Sequence, residues 1–235
     1  MATVNEISKS ARTSILTKLK AQVVGADYNK LPTEPKFSYP NITHEQGVAK
    51  FIEHLQLNHA EVLKVTIETV VTVIEEQLKK RDIRQLLYGE NGRFSAMLES
   101  YFNNTCENTI EDSKNIKLEK YDFLLTDNKT KLFDESPASF TSSKCSISAT
   151  GTIVLWPTVE EPRTLSLVPP VHFVLVDANK MVNDFATLIK TQQWKDKLPT
   201  NVLLISGPSK TADIQQTLAY GAHGPKELIV LLLNS

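Results

Sequence analysis

The chain of 235 residues has few cysteines, and the two present are Cys106 and Cys145. They do not form a C-x-x-C pair, so the sequence offers neither an iron–sulfur ligand set nor a zinc knuckle. Two thiols in a chain of this length are typical of a reducing compartment. We therefore predict no metal site in this chain.

Long apolar runs and an excess of charge are also missing. No stretch approaches the ~20 apolar residues that span a bilayer, and the N-terminal twenty residues contain no uninterrupted apolar segment of a secretory signal. The 26 basic residues nearly balance the 27 acidic ones, so no basic field favours nucleic acid. The sequence thus predicts a soluble, cytoplasmic protein that binds neither membrane nor nucleic acid.

Several short catalytic signatures are absent as well. The chain contains no G-x-S-x-G elbow, no G-x-G-x-x-G fingerprint and no H-E-x-x-H helix. His54 and His59 stand five residues apart, without the carboxylates that would complete a metal site. Hydrolase, dinucleotide and zinc-protease chemistry therefore have no support.

What the sequence does have is an alternation of apolar strands with amphipathic helices. Such strands are typical of a sheet covered on both faces. We predict an α/β domain with an open, mostly parallel sheet and helices on both faces. Strands are expected at 61–66, 82–89, 116–126, 138–149, 152–156, 171–176, 201–205 and 227–233, and helices at 43–60, 67–81, 91–102, 179–191 and 211–220, with a helical turn at 131–134.

The N-terminal segment differs from the rest. Apolar residues from Ile7 to Leu19 recur at three- and four-residue steps and predict an amphipathic helix, and the stretch 28–40 carries three prolines and cannot be a continuous helix. We therefore divide the chain into an N-terminal helix and arm, 1–42, and an α/β domain, 43–235.

The segment "GPSKT" is the first candidate for an anion site. Gly207 and Pro208 break a strand, and Ser209 or Thr211 could cap the helix expected next, whose first N–H groups attract phosphate or carboxylate together with Lys210. The glycines of a nucleotide P-loop are absent. A turn and cap without a ligand is the alternative reading.

The segment "GAHGP" ends that same helix. His223 lies between Gly221 and Gly224 and could act as an acid or base, or could only bond a backbone carbonyl. In a βαβ unit the two ends of the helix lie at opposite edges of the sheet, so "GPSKT" and "GAHGP" are expected to share a crevice only through a folded-over loop or a second subunit. A homo-oligomer is left open.

A second group of candidates surrounds a proline-rich loop. Thr150 and Thr152 offer hydroxyl groups around Gly151, and Arg163 offers a bidentate anion clamp. The alternatives are a bulge at Thr-Gly-Thr, an Arg163 that pairs with Glu160 or Glu161, and, nearby, a His172 buried in the core.

Two long stretches carry a family resemblance. The segments 149–176, "ATGTIVLWPTVEEPRTLSLVPPVHFVLV", and 205–233, "ISGPSKTADIQQTLAYGAHGPKELIVLLL", strongly resemble the lactate-utilisation protein C (LutC/YkgG) family of LUD-domain proteins. The resemblance implies a fold of the NagB/RpiA/CoA-transferase group. It also implies a place in a three-part system that oxidises L-lactate to pyruvate, whose iron–sulfur clusters sit on partner proteins, with no cofactor in this chain.

Two positions depart from the family pattern. Ala149 and Gln215 stand where the family usually carries glutamate, so independent catalysis is in doubt, although Asp213 could still hold a ligand hydroxyl or cap the helix. We expect an accessory subunit that binds a small carboxylate or phosphate. The alternatives are a self-contained enzyme like a CoA-transferase or sugar-phosphate isomerase, and a small-carboxylate sensor.

Overall fold

The computed structural model describes residues 4–25, 39–40, 42–108, 116–122, 129–212, 218–220 and 224–234. The chain divides into two compact units, Met1–Ser38 and Tyr39–Ser235. The first contains helix α1, Val4–Gln22, which confirms the predicted N-terminal helix. Most of the expected proline-rich arm lies outside the described residues.

The second unit contains the remaining elements. Its helices are α2 His44–Leu57, α3 Val70–Lys80, α4 Ser95–Asn108, α5 Lys129–Phe133, α6 Thr164–Leu167, α7 Phe185–Thr191 and α8 Trp194–Lys197. Its strands are β1 Glu61–Val65, β2 Gln85–Gly89, β3 Lys117–Tyr121, β4 Ala138–Ser142, β5 Cys145–Ile147, β6 Thr152–Leu155, β7 Val171–Asp177, β8 Met181–Val182, β9 Leu203–Ile205, β10 Lys210–Ala212, β11 Leu218–Tyr220 and β12 Glu227–Leu233.

A six-stranded sheet in the order β1-β12-β7-β4-β2-β3 forms the centre of this unit, and every neighbouring pair in it is parallel. This confirms the predicted α/β class. The central strands β7 and β12 are buried along almost their whole length, because a parallel sheet is covered on both faces.

The two faces are covered differently. On one face Phe173 and Leu231 pack with Ile74 of α3 and Leu98 of α4. On the other face Val174, Val176 and Val230 share a cluster with α2 and with β6 of a second sheet. That second sheet has the order β8-β5-β6-β9. Helices therefore cover one face, and a helix together with a small sheet covers the other.

The chain changes sheets immediately after β4. Ser143 donates its N–H to Leu175 of β7, whereas the next residue, Lys144, donates to Val154 of β6. The single strand predicted at 138–149 is thus two strands. The helix predicted at 179–191 begins only at Phe185, because Asp184 accepts the Thr187 N–H as an N-cap. Before it, residues 178–180 form a 3-10 turn and Met181–Val182 form β8.

The helix predicted at 211–220 is wrong wherever this stretch is described. Lys210–Ala212 and Leu218–Tyr220 are antiparallel strands, with Lys210 opposite Tyr220. The Ser209 N–H donates to the Pro225 carbonyl oxygen at 2.8 Å. A ten-residue helix would hold these ends about 15 Å apart, so the hairpin brings together two segments that we expected at opposite edges of the sheet.

One glycine within helix α2 and one packed against it give a matched stability test. Gly151 has a φ of 59°, and a Cβ atom there would lie 2.5 Å from the His54 Cβ atom, whereas a Cβ atom at Gly47 would meet Ser148 at an ordinary 3.5 Å. Gly151→Ala should therefore lower the free energy of unfolding by about 3 kcal/mol. Gly47→Ala should raise it by up to about 1 kcal/mol, since alanine favours helix.

Urea unfolding of the two variants beside the wild-type protein measures both effects. Equal stabilities for the Gly151 variant and the wild type would show that the packing between the Thr-Gly-Thr turn and α2 is looser than described.

Candidate functional site

The Thr-Gly-Thr turn and the end of β9 are joined by hydroxyl groups. The Thr150 and Thr152 Oγ1 atoms lie 2.6 Å apart, and Thr152 Oγ1 lies 2.8 Å from Ser206 Oγ. The structure thus brings Thr150, Gly151 and Thr152 beside the start of "GPSKT". Gly151 and Gly207 pack against α2 and Asn58, which leaves no room for side chains there. These contacts explain why glycine, which has no side chain, occupies both positions.

The segment 207–211 does not begin a helix, because β10 starts at Lys210. The rationale of anion binding at a helix N-terminus is therefore wrong for Gly207, Ser209, Lys210 and Thr211. A role for these residues in ligand binding stays a prediction, and the side chains of Lys210 and Thr211 lie outside the described residues. So do Asp213 and His223.

Gly207 and Ser209 line a small cavity of about 170 Å³ together with Gly224 and His172. The cavity lies at the amino ends of β7 and β12, where His172 is opposite Leu228. We expected "GPSKT" at the carboxyl ends of the strands, where open α/β sheets bind ligands. That expected position is wrong.

His172 lies in the core. It is fully buried, its Nε2 atom lies 2.8 Å from Thr141 Oγ1, and its Nδ1 atom has no partner within the described part of the chain. Burial lowers the pKa of His172 to about 3, so the imidazole is neutral at physiological pH. A structural role fits these observations better than acid–base chemistry.

Arg163 is exposed at the start of α6, and its carbonyl oxygen accepts the Ser166 hydroxyl at 3.0 Å. It lines a narrow crevice beside Glu161 rather than the cavity at Ser209. The structure does not place it with the other predicted anion-binding residues.

A larger cleft of about 900 Å³ lies at the opposite edge of the sheet. The residues that follow β2, β4 and β7 line it, and so does the loop after β6. They include Asn91, Gly92, Arg93, Ser142, Ser143, Lys144, Trp156, Glu161 and Lys180. The cleft therefore sits at the carboxyl ends of the parallel strands.

The order of the strands in the sheet also indicates a ligand crevice at this edge. β2 and β4 are neighbours, yet the next strand of this sheet along the chain is β3, on one side, after β2 and β7, on the other side, after β4. Connections that diverge in this way leave a crevice outside the carboxyl ends of the two strands, where ligands of open α/β sheets bind. The general rule points to this cleft and not to the turn at Ser209.

Glu161 forms part of the wall of the cleft. Its Oε2 atom accepts the Ser142 N–H at 2.9 Å, and the Ser142 hydroxyl lies 3.1 and 3.0 Å from its two carboxyl oxygens. A Cβ atom at Gly89 would overlap the Glu160 carbonyl oxygen, and one at Gly92 would lie 2.8 Å from Glu161 Oε1. Both glycines therefore let the loop close over the end of β2.

Burial raises the pKa of Glu161 above its ordinary value. The N–H and hydroxyl groups of Ser142 and the charge of Arg93 act in the opposite direction, and the charge of Glu160 adds to the rise. The cleft thus contains a carboxyl group that takes up a proton more readily than an exposed glutamate.

Three cationic residues, Arg93, Lys144 and Lys180, line the cleft together with Glu161. The Lys144 ammonium lies 4.9 Å from the centroid of the Trp156 ring, and the Arg93 guanidinium lies 5.0 Å from that of Phe94. Lys180 pairs with Asp177 at 3.5 Å. Lys144 and Arg93 form no salt bridge within the described residues, so both can meet an anionic ligand.

Reasoning from the sequence missed this cleft. Glu161 entered only as a partner of Arg163, and Arg93 and Lys144 were not considered. One signal was available, because Gly89 ends a strand, Gly92 follows it, and polar residues follow the neighbouring strand β4. That pattern would have suggested loops that approach closely at the carboxyl edge.

The structure is that of an α/β protein with a cleft at the carboxyl edge of a parallel sheet. A model of the LUD domain matches residues 48–233, so the chain belongs to the LUD-domain family. This confirms the resemblance to lactate-utilisation protein C.

Individual relatives agree with this assignment. An uncharacterised protein of Neisseria meningitidis is 37% identical over 95% of this chain and 94% of its own length. Lactate utilization protein C 1 of Bacillus mycoides is 28% identical over 86% of this chain and 88% of its own length. A crystal structure of a DUF162 family protein from Deinococcus radiodurans superimposes with a TM-score of 0.58 at 16% identity, over 83% of this chain and all of that one, which supports the fold.

The raised pKa of Glu161 gives a prediction about stability. A carboxyl group whose pKa is raised by folding stabilises the protein below its unfolded pKa and loses that contribution as the pH rises through its folded pKa. The free energy of unfolding of Glu161→Gln, relative to the wild type, should therefore increase as the pH rises from about 4.5.

Urea unfolding between pH 4.5 and pH 8 measures this difference. Glu76→Gln, at an exposed helix position outside the cleft, is the matched control. A difference for Glu161→Gln that does not change with pH would contradict the burial of this carboxyl group.

Proposed function

We propose that the protein is an accessory, ligand-binding subunit of a cytoplasmic system that oxidises L-lactate to pyruvate, acting with iron–sulfur partner proteins. Membership of the LUD-domain family and relatives named lactate utilization protein C support this role. None of the described helices is long and apolar enough to cross a membrane.

The observation that carries the ligand-binding part is the cationic cleft at the carboxyl edge of the sheet. Lactate and pyruvate each carry one carboxylate, and Lys144 and Arg93 supply positive charge where the fold favours ligands. The partly enclosed position strengthens this attraction relative to bulk water. A small monocarboxylate fills only part of the cleft.

In this proposal the partner proteins carry out the transfer of electrons. Among the described residues, no three side chains of His, Cys, Asp or Glu are grouped as a metal site would require. Burial raises the pKa of Cys145 to about 11, so its thiol stays protonated at neutral pH and is a poor metal ligand. The identity of the partners is part of the proposal.

The requirement for partners can be tested by reconstitution. The purified chain alone should not reduce a dye with L-lactate, whereas the chain combined with iron–sulfur lactate-utilisation proteins should.

Because Lys144 carries the carboxylate-binding role, Lys144→Ala should lower the L-lactate-dependent rate of the assembly about tenfold at subsaturating L-lactate.

Lys64→Ala, at an exposed position of β1 that lines none of the described cavities, should leave that rate unchanged. Turnover by the isolated chain would contradict the accessory role and favour a self-contained enzyme.

A further inference from the structure

We propose that the cleft distinguishes a hydroxy acid from the corresponding keto acid. In this proposal the ligand carboxylate binds at an anion corner formed by Ser143, Lys144 and Trp156, and the ligand hydroxyl donates a hydrogen bond to Glu161. The inference rests on the proposed function, since it specifies how the ligand of that system is recognised.

The anion corner contains donors that lack acceptors. Ser143 is 7% exposed and its Oγ atom has no partner, and the buried indole Nε1 of Trp156 has none either, among the residues that the structure describes. Both residues line the cleft. Both atoms are closed to solvent in this conformation. Because a buried donor without an acceptor is unfavourable, a side-chain rotation that turns either donor towards a carboxylate in the cleft is favoured.

Charge and geometry favour the same corner. The Lys144 ammonium lies over the Trp156 ring, which holds the positive charge beside the indole group. The hydroxyl group of Ser143 can turn towards the cleft by rotation about χ1, since serine has three staggered rotamers. An ammonium, a hydroxyl and an indole N–H are all donors, and they match the oxygens of a carboxylate.

Glu161 supplies an acceptor in the same cleft. A carboxylate offers about four lone-pair sites, and Ser142 has only two hydrogens to donate to it, one from its N–H and one from its hydroxyl. The Glu161 carboxylate can therefore accept a hydrogen bond from a further donor. Ser142 directly precedes Ser143, and both residues line the same cleft as Glu161 and Lys144.

An α-hydroxy acid presents the complementary pattern. Its carboxylate and its hydroxyl stand on adjacent carbons, so one can bind at the anion corner while the other donates to Glu161. A keto acid presents a carbonyl oxygen at the second position, which faces the Glu161 carboxylate without a hydrogen between them. Sites that bond a ligand hydroxyl discriminate strongly against analogues that lack it.

Calorimetric titration with L-lactate and with pyruvate tests the inference, with the full chain alone and in the assembly with its iron–sulfur partners. The wild-type chain should bind L-lactate at least about tenfold more tightly than pyruvate. Lys144→Ala should weaken both acids about tenfold. Glu161→Gln should bring the two affinities to within about twofold, because an amide can both donate and accept.

Two control variants test whether the effects are specific, and two different negative results separate the inference from the proposed function. Lys64→Ala and Glu76→Gln should leave both affinities unchanged. If Lys144→Ala weakens both acids but Glu161→Gln keeps the wild-type preference, the inference is overturned and the proposed function stands. If neither acid binds to the chain or to the assembly, the proposed ligand-binding function is overturned and the inference with it.

Discussion

The close approach of the Glu160 backbone to Gly89 is the constraint on which the cleft depends. No side chain fits at Gly89, and Gly92 is nearly as crowded by Glu161, so the loop after β6 can lie across the end of β2. That position brings the Glu161 carboxyl group to the Ser142 N–H at the end of β4. Two strands and a loop distant in sequence are thereby fixed around one carboxyl group.

The change of sheet after Ser142 completes the arrangement. Because Ser143 and Lys144 bond to β7 and β6 respectively, they stand at the junction of the two sheets, and Lys144 can lie over Trp156, one residue beyond β6. The cleft therefore combines a partly buried carboxyl group with cations and with donors that have no partner among the described residues. A ligand with both an anionic group and a hydroxyl complements that combination.

The fold could be predicted from the sequence to a large extent, because strands such as 171–176 and 227–233 are apolar throughout and helices such as α2 have clear caps. The helix at 211–220 failed because its local spacing is helical, whereas closure of Ser209 onto Pro225 decides the structure. The doubt about catalysis that Ala149 and Gln215 raise comes from the family resemblance and stays a prediction, and Gln215 lies outside the described residues. The position of Glu161 in the cleft depends on the approach of its loop to Gly89, Gly92 and Ser142. No spacing of residues in the sequence predicts that approach.

The central claim is that the ligand binds at the carboxyl edge of the sheet and not beside Ser209. A crystal structure of the full chain soaked with L-lactate, at a concentration that saturates binding in solution, tests it most directly. The account predicts electron density for the carboxylate within hydrogen-bond distance of Lys144 and Ser143, with the hydroxyl on Glu161. Density confined to the small cavity beside Ser209, or an empty cleft, would contradict it.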